Sequence, residues 1–168
     1  YAGESNLKSI GLEMGGKSPF IVLDDAVIND DLIEHAATAA FWNGGQNCSA
    51  NMRQIVDARI AESYLEQITA RAKSYVVGDP LDPATDIGAM VTREHMAQVS
   101  GYIDTGNAEG GRMLSGGVRK GDGYFIEPTV FGNLTPDMTS VREEIFGPVL
   151  GVLPVSGMEE ALKIAKDT

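Results

Sequence analysis

Apolar positions along the chain follow two spacings, one typical of strands and the other of helices. Apolar runs predict strands or extended segments at residues 20–23, 53–60, 112–114, 124–134 and 149–155. Apolar residues three or four positions apart predict helices over residues 32–43, with a polar and acidic start at residues 29–31, and over residues 65–75 and 92–106. A capping box at residues 156–159 predicts the start of a last helix, which extends through Ala165.

The order of these elements predicts the fold class. Strands that alternate with helices indicate an α/β architecture with a mainly parallel sheet. The 168 residues have the length of one domain, and no internal repeat, low-complexity stretch or interdomain linker interrupts them. We therefore expect a single layered unit.

Charge and composition exclude several classes of function. Lys and Arg number 13 against 24 Asp and Glu, which gives a net charge of −11, whereas nucleic acids and anionic membranes need a basic surface. No run approaches the roughly 18 apolar residues of a membrane-spanning helix. A single cysteine cannot form an internal disulfide. We therefore expect a cytoplasmic protein with no nucleic-acid or membrane partner.

The single cysteine, Cys48, follows a glycine-rich loop in the sequence GGQNCSA at residues 44–50. Glycines permit tight backbone conformations and a close approach to a ligand. Backbone N–H groups or cations near such a thiol favour the reactive thiolate. A small buried hydrophobic residue is the alternative, because free cysteines are often buried.

Two acidic motifs are further candidates for chemistry. Glu13 stands beside paired glycines in LEMGGKSP at residues 12–19, and REEIFGPV occupies residues 142–149. Glu13 is either a general base that accepts a proton from water or a surface or ion-paired carboxylate. The second motif either ends a helix or supplies a carboxylate for ribose hydroxyls and an aromatic wall for a flat ring.

The chain resembles the aldehyde dehydrogenase superfamily, with LEMGGKSP, GGQNCSA, GYFIEPTVF and EEIFGPV in the family's order. The resemblance extends over essentially all 168 residues. It implies a three-layer α/β catalytic domain with a mainly parallel sheet. The stretch AGESNLK at residues 2–8 resembles the bacterial branch that oxidises amino- and γ-glutamylamino-aldehydes.

The resemblance implies roles for the catalytic pair. Cys48 matches the nucleophile that attacks the aldehyde to form a thiohemiacetal, which becomes a thioester after hydride transfer to NAD(P)+. Glu13 matches the general base that activates water to hydrolyse this thioester. A thiolate attacks and leaves well, so covalent catalysis divides the oxidation into easier steps. The backbone N–H of Cys48 would donate half of an oxyanion hole.

The resemblance also implies a cofactor site and a substrate pocket, and it implies no metal. Glu144 matches the carboxylate that holds the nicotinamide ribose, and Phe146 matches the aromatic residue at that end of the site. Phe41 and Trp42 are candidates for the aldehyde pocket wall or, equally, for helix-end core residues. Asn47, next to the nucleophile, is a further pocket candidate.

By the same resemblance, residues 1–15 are the tail of a dinucleotide-binding domain and residues 16–168 are part of the catalytic domain. The chain has no Gly-x-Gly-x-x-Gly sequence that opens a helix after a strand. The family's second oxyanion donor, an asparagine, would precede Tyr1. We therefore expect the isolated chain not to turn over and its parent to be a homodimer or homotetramer.

Two other classes of function remain open at this point. A cysteine hydrolase with thioesterase activity would normally need a histidine base. The chain has only His35 and His95, which both fall in predicted helices and are expected on helix surfaces. The other class is a structural fragment without catalysis.

Overall fold

A computed structural model of the chain describes residues 1, 3–117 and 122–167. The strands are β1 (Pro19–Val22), β2 (Arg53–Asp57), β3 (Arg112–Ser115), β4 (Thr129–Gly132) and β5 (Val149–Val155). The helices are α1 (Asp30–Phe41), α2 (Ala61–Ser74), α3 (Arg93–Ala108), α4 (Thr139–Arg142) and α5 (Met158–Ala165).

The strands form one sheet in the order β1-β2-β5-β4-β3. The first four strands of that order are parallel, and β3 pairs antiparallel with β4 at one edge. Ile55 in β2 lies in register with Ile21 of β1 and Leu153 of β5. The mainly parallel α/β sheet expected from the sequence is therefore confirmed.

Helices cover both faces of the sheet. One apolar cluster lies beneath α1 and α2 and includes Val56 and Leu150, while the other lies beneath α3, α4 and α5 and includes Ile55 and Leu153. Consecutive residues of β2 thus enter opposite clusters, as the two-residue period of a strand requires. The molecule is a three-layer α/β structure.

Polar residues of β2 are buried and bonded. Gln54 donates from Nε2 to the Ala36 carbonyl of α1 at 3.1 Å and accepts from the Tyr64 hydroxyl of α2 at 2.7 Å. Arg53 faces the other way and donates to the Ile164 carbonyl at 3.2 Å near the end of α5. A buried polar group needs such partners, because an unpaired one costs free energy. This interior strand is therefore joined to helices on both faces.

Element ends depend on local capping. Asn29 caps α1 by accepting from the Leu32 N–H at 2.9 Å, in agreement with the acidic and polar start expected there. At α5 the capping residue is Gly157, and Glu160 rather than Glu159 accepts from the Ser156 N–H at 2.6 Å. The predicted capping box is thus wrong in its acidic residue, although the helix it marks is present.

Three other elements differ from the sequence-based expectation. Strand β2 ends at Asp57 instead of residue 60, because a turn follows at residues 58–60. Only Thr129–Gly132 of the extended stretch 124–134 pairs as a strand, directly after Pro128. The short helix α4 was not predicted, since its four residues are too few for a helical apolar period.

The N-terminal segment is exposed. Tyr1 and residues 3–16 are all exposed and contain no helix or strand, and Lys17 is the first buried residue. The predicted division between residues 1–15 and 16–168 stays a prediction. In the part of the chain that the structure describes, no helix is both long enough and apolar enough to span a membrane.

The bond between Tyr64 and Gln54 should contribute measurably to stability. Replacement of Tyr64 by Phe leaves Gln54 Oε1 buried without its donor, so the free energy of unfolding should fall by about 1–3 kcal/mol. Urea unfolding followed by circular dichroism measures this change. The matched control is Tyr102→Phe, because the Tyr102 hydroxyl donates to exposed Glu143 at 2.7 Å. Equal losses in the two variants would contradict the assignment.

Candidate active site

Cys48 lies on a loop that begins with left-handed backbone. After α1 ends at Phe41, a 3₁₀ turn spans Trp42–Gly45. Within it, Asn43, Gly44 and Gly45 have φ values of 54°, 63° and 68°. Only glycine, and to a lesser degree asparagine, adopts this conformation readily. The sequence Asn-Gly-Gly therefore allows the chain to turn sharply between α1 and the thiol.

The thiol itself is exposed. Cys48 Sγ lies 3.8 Å from Asn47 Oδ1, and the same oxygen accepts from the Ser49 N–H at 3.3 Å and from the Ser49 hydroxyl at 3.2 Å. Cys48 is a free, exposed cysteine. The alternative of a buried hydrophobic cysteine is therefore wrong. The side-chain oxygen of Asn47 is already occupied by bonds within the loop.

Hydrogen bonds anchor this loop on two sides. Gln46 Oε1 accepts from the Val91 N–H at 2.9 Å, which joins the loop to the segment before α3. Asn51 donates from its backbone N–H to the Ala39 carbonyl at 2.9 Å and from Nδ2 to the Pro19 carbonyl at 3.3 Å. The loop is thus connected to α1 and to the end of the LEMGGKSP motif.

Close backbone packing joins the loop to the EEIFGPV motif. A Cβ atom added to Gly45 would overlap with the carbonyl oxygen of Gly147 and with the methyl group of Met52. A Cβ atom on Gly147 would in turn lie 2.6 Å from Val99 Cγ2 of α3. A side chain at Gly45 would separate the loop from this motif, and a side chain at Gly147 would separate the motif from α3.

The turn that contains Phe146 is strained and held by a histidine. Phe146 has a φ of 56°, which is unfavourable for a bulky residue. His95 Nε2–H of α3 donates to the Phe146 carbonyl oxygen at 2.6 Å, and the two rings meet edge to face with centroids 6.2 Å apart. His95 is therefore not the plain helix-surface residue that the sequence suggested. His35 is exposed on α1, as expected.

Glu144 contacts the LEMGGKSP motif. A Cβ atom on Gly15 would overlap with Glu144 Oε2, so the carboxylate lies directly against the Gly15 backbone. The other oxygen, Oε1, is buried and has no hydrogen-bond partner. A buried oxygen without a partner is costly and is suited to accept a hydrogen bond from a ligand.

Two buried cations meet at the LEMGGKSP motif. Lys17 is 7% exposed and Arg53 is 2% exposed, and Arg53 Nη2 donates to the Lys17 carbonyl at 3.0 Å. Burial is the main cause that lowers the pKa of Lys17 to about 7, and Arg53 lowers it further, while Glu144 opposes the shift. Sequence reasoning missed both cations, although Lys17 belongs to the quoted LEMGGKSP motif.

The remaining candidate residues lie in different surroundings. Glu13 is exposed and, within the described residues, forms no hydrogen bond or ion pair, so none joins it to Cys48. Phe41 is 1% exposed and packs edge to face on Tyr75, which fits the helix-end core alternative. Trp42 is 64% exposed beside the loop. Among the described residues, no group of three or more His, Cys, Asp or Glu side chains is placed to hold a metal ion.

Comparisons with known proteins match this chain along its whole length. The model of the aldehyde dehydrogenase family matches residues 1–168. Aminoacetaldehyde dehydrogenase from Pseudomonas aeruginosa is 43% identical over 168 residues, which are 100% of this chain and 34% of that protein. The crystal structure of γ-glutamyl-γ-aminobutyraldehyde dehydrogenase from Burkholderia cenocepacia is 44% identical with a TM-score of 0.91, over 99% of this chain and 34% of that chain.

An NAD+ complex of aldehyde dehydrogenase from Bacillus cereus has a TM-score of 0.92 at 38% identity, over 99% of this chain and 34% of that chain. One family thus accounts for both the sequence and the fold. The chain belongs to the aldehyde dehydrogenase family. It spans about a third of the length of these relatives.

The contact between Gly45 and Gly147 can be tested with a matched pair of glycines. Gly45→Ala and Gly44→Ala both place a methyl group on left-handed backbone, but at Gly44 the nearest atoms are 3.6 Å away. Gly45→Ala should therefore cost about 1–3 kcal/mol more than Gly44→Ala in the free energy of unfolding, the usual penalty of overpacking. Thermal or urea unfolding measures this difference. Equal costs would mean that backbone strain alone explains both glycines.

Proposed function

We propose that this chain supplies the thiol chemistry of an enzyme that oxidises an aldehyde to a carboxylic acid. The observation that carries the proposal is the exposed Cys48 thiol on a loop packed against the motif of Glu144 and Phe146. Membership of the aldehyde dehydrogenase family supports it. The chain spans about a third of the length of its relatives, so the activity of the whole enzyme is part of this proposal.

Cys48 acts as the nucleophile. Its thiolate attacks the carbonyl carbon of the aldehyde, a carbon–sulfur bond forms, and the carbonyl electrons move to oxygen. The backbone N–H of Cys48 stabilises this oxyanion. Loss of hydride from the same carbon then converts the thiohemiacetal into a thioester on Cys48. The exposed position of the thiol gives an aldehyde access to it.

Glu13 acts as the general base of the second half-reaction. Its carboxylate removes a proton from water, the resulting hydroxide equivalent attacks the thioester carbon, and the carbon–sulfur bond breaks. The thiolate of Cys48 leaves and the carboxylic acid is released. Glu13 forms no hydrogen bond or ion pair within the described residues, so its carboxylate is available to water.

Glu144 and Phe146 fit one end of a nicotinamide cofactor. When bound, NAD(P)+ supplies the acceptor for the hydride. The unpartnered Oε1 of Glu144 is suited to accept a hydrogen bond from a ribose hydroxyl, and Phe146 supplies an aromatic ring two positions later in the same motif. The NAD+ complex of the Bacillus cereus relative supports the choice of cofactor class.

The substrate that we propose is an aldehyde with an amino or acylated amino group. The names of two relatives support this class, one acting on aminoacetaldehyde and one on γ-glutamyl-γ-aminobutyraldehyde. Trp42, exposed next to the loop, is the candidate pocket wall, and Asn47 borders the nucleophile. The homodimeric or homotetrameric state and the cytoplasmic location stay predictions.

The two catalytic roles predict different failures in the protein expressed from its full open reading frame. Cys48→Ala should abolish formation of NAD(P)H from an aldehyde, because no thiohemiacetal forms. Glu13→Gln should retain a burst of about one NAD(P)H per site but lose roughly 10²–10⁴-fold in steady-state rate, the usual contribution of a general base. Stopped-flow absorbance of NAD(P)H measures both phases.

The control for Glu13→Gln is Glu66→Gln, an exposed glutamate on α2 that lies outside the three motifs. It should leave both phases unchanged. A Cys48→Ala protein that still reduces NAD(P)+ would overturn the role of the thiol. Loss of the burst in Glu13→Gln would assign Glu13 to the first half-reaction instead of the second.

The isolated chain should carry out the hydrolytic half-reaction alone. It lacks a Gly-x-Gly-x-x-Gly phosphate loop, so we expect no NAD(P)H from any aldehyde. We expect slow release of nitrophenol from an activated ester, which should disappear in Cys48→Ala. Turnover of an aldehyde by the purified chain would disprove the first statement, and ester hydrolysis that survives in Cys48→Ala would disprove the second.

A histidine-dependent cysteine hydrolase is a weaker candidate. His95 is bonded to the Phe146 carbonyl and the His35 ring lies at a tilted angle to the Phe20 ring, and neither histidine is bonded to Cys48. A pH profile of ester release that His35→Gln and His95→Gln leave unchanged would agree with a site that uses no histidine base.

A further inference from the structure

The buried cation Lys17 takes no part in the reaction proposed above, yet it lies beside Glu144. Lys17 is 7% exposed, whereas a lysine is rarely this buried without a partner. It follows Gly15 by two positions in the LEMGGKSP motif, and Gly15 is the residue against which the Glu144 carboxylate packs. Lys17, Gly15 and Glu144 thus form one cluster.

The backbone of this cluster is fixed from the opposite side. Arg53 of β2 donates to the carbonyl of Lys17 at 3.0 Å, and the same guanidinium donates to the Ala165 carbonyl at 3.2 Å. The guanidinium therefore attaches the backbone at Lys17 to the end of α5. The position of the Lys17 backbone is set by the sheet, so its side chain is directed from a rigid base.

The charges in the cluster determine how the carboxylate is held. Glu144 attracts Lys17 and raises its pKa, while burial and Arg53 both lower it. Glu144 Oε1 is buried without a hydrogen-bond partner. A buried charge without compensation is expensive, so a cation within Coulombic reach of Glu144 reduces the cost of keeping the carboxylate in this place.

We propose that Lys17 is a positioning residue for Glu144: its buried ammonium attracts the carboxylate and keeps it against the Gly15 backbone, so that Oε1 faces a ligand hydroxyl. The proposal rests on the ribose-binding role given to Glu144 above. Lys17 then acts on cofactor affinity through Glu144 and does not touch the reacting atoms. Among the described residues, Arg53 and Glu144 are the charged groups that act on it.

A consequence is that cofactor affinity depends on pH through Lys17. Below its pKa of about 7 the ammonium is present and attracts Glu144, and above it Lys17 is neutral and the attraction is lost. The Michaelis constant for NAD(P)+ should therefore rise as the pH passes upward through this value.

The first experiment tests the pairing itself, without activity. The chain is labelled with ¹³C-lysine, and the Lys17 signal is assigned by its absence in Lys17→Arg. The midpoint of its titration should lie near 7 and should move down by about one unit in Glu144→Gln, the low end of the effect of an opposite charge. The matched control is Glu143→Gln, because that neighbouring carboxylate accepts from Tyr102 instead.

The second experiment measures cofactor and aldehyde kinetics in the protein expressed from its full open reading frame. Lys17→Met should raise the Michaelis constant for NAD(P)+ by at least about tenfold. This is the effect expected when the charge-assisted hydrogen bond from the ribose hydroxyl to Glu144 is lost. The Michaelis constant for the aldehyde should change by less than about twofold, because the hydrogen bonds of Gln46 and Asn51 that anchor the Cys48 loop stay in place. Lys17→Arg keeps the positive charge and should restore part of the lost NAD(P)+ affinity. The control is Lys73→Met, at an exposed position of α2.

The outcomes distinguish the positioning role of Lys17 from the ribose-binding role of Glu144 on which it rests. The pH dependence of the NAD(P)+ constant should disappear in Lys17→Met, with the constant high throughout. A Lys17 titration that is the same in Glu144→Gln and wild type overturns the pairing. A Lys17→Met variant that loses thermal stability alone, with unchanged constants, overturns the positioning role. If Glu144→Gln leaves the NAD(P)+ constant unchanged, the ribose-binding role itself is wrong.

Discussion

The approach of the Gly45 backbone to the Gly147 carbonyl is the contact on which the site depends. It brings the loop of Cys48 against the turn of Phe146, and a side chain at Gly45 would force the two apart. The Phe146 turn is held by His95 of α3, and Glu144 in the same motif rests on Gly15. Three motifs that are distant in sequence meet through glycines, because only glycine permits such close backbone packing.

The interior strand β2 supports this arrangement from within. Gln54 is bonded to α1 and α2 on one face, and Arg53 is bonded to the end of α5 and to Lys17 on the other. The thiol loop enters β2 shortly after Cys48, so the loop begins at a helix and ends in a fully buried strand of the sheet. A rigid base of this kind suits a nucleophile whose geometry must be reproducible.

Local signals account for what the sequence could predict. The strand at residues 149–155, the start of α1 at Asn29 and the start of α3 at Thr92 all depend on neighbouring residues, and each agrees with the structure. The burial of Lys17 and the bond from His95 to Phe146 depend instead on segments that meet only after folding. The spacing of residues along the sequence does not predict these contacts between distant segments. The sequence motifs identified the candidate residues, and the folded structure shows which of them are in contact.

The exposed indole of Trp42 gives the molecule an optical property that follows from its position. Trp42 is the only tryptophan of the chain and lies at the start of the 3₁₀ turn that leads to Cys48. Its tryptophan fluorescence therefore comes from a single site, at the start of the turn that leads to the thiol. Solvent polarity around an indole affects its emission wavelength, so the tryptophan emission of this chain reports on the surroundings of that turn and not on the core.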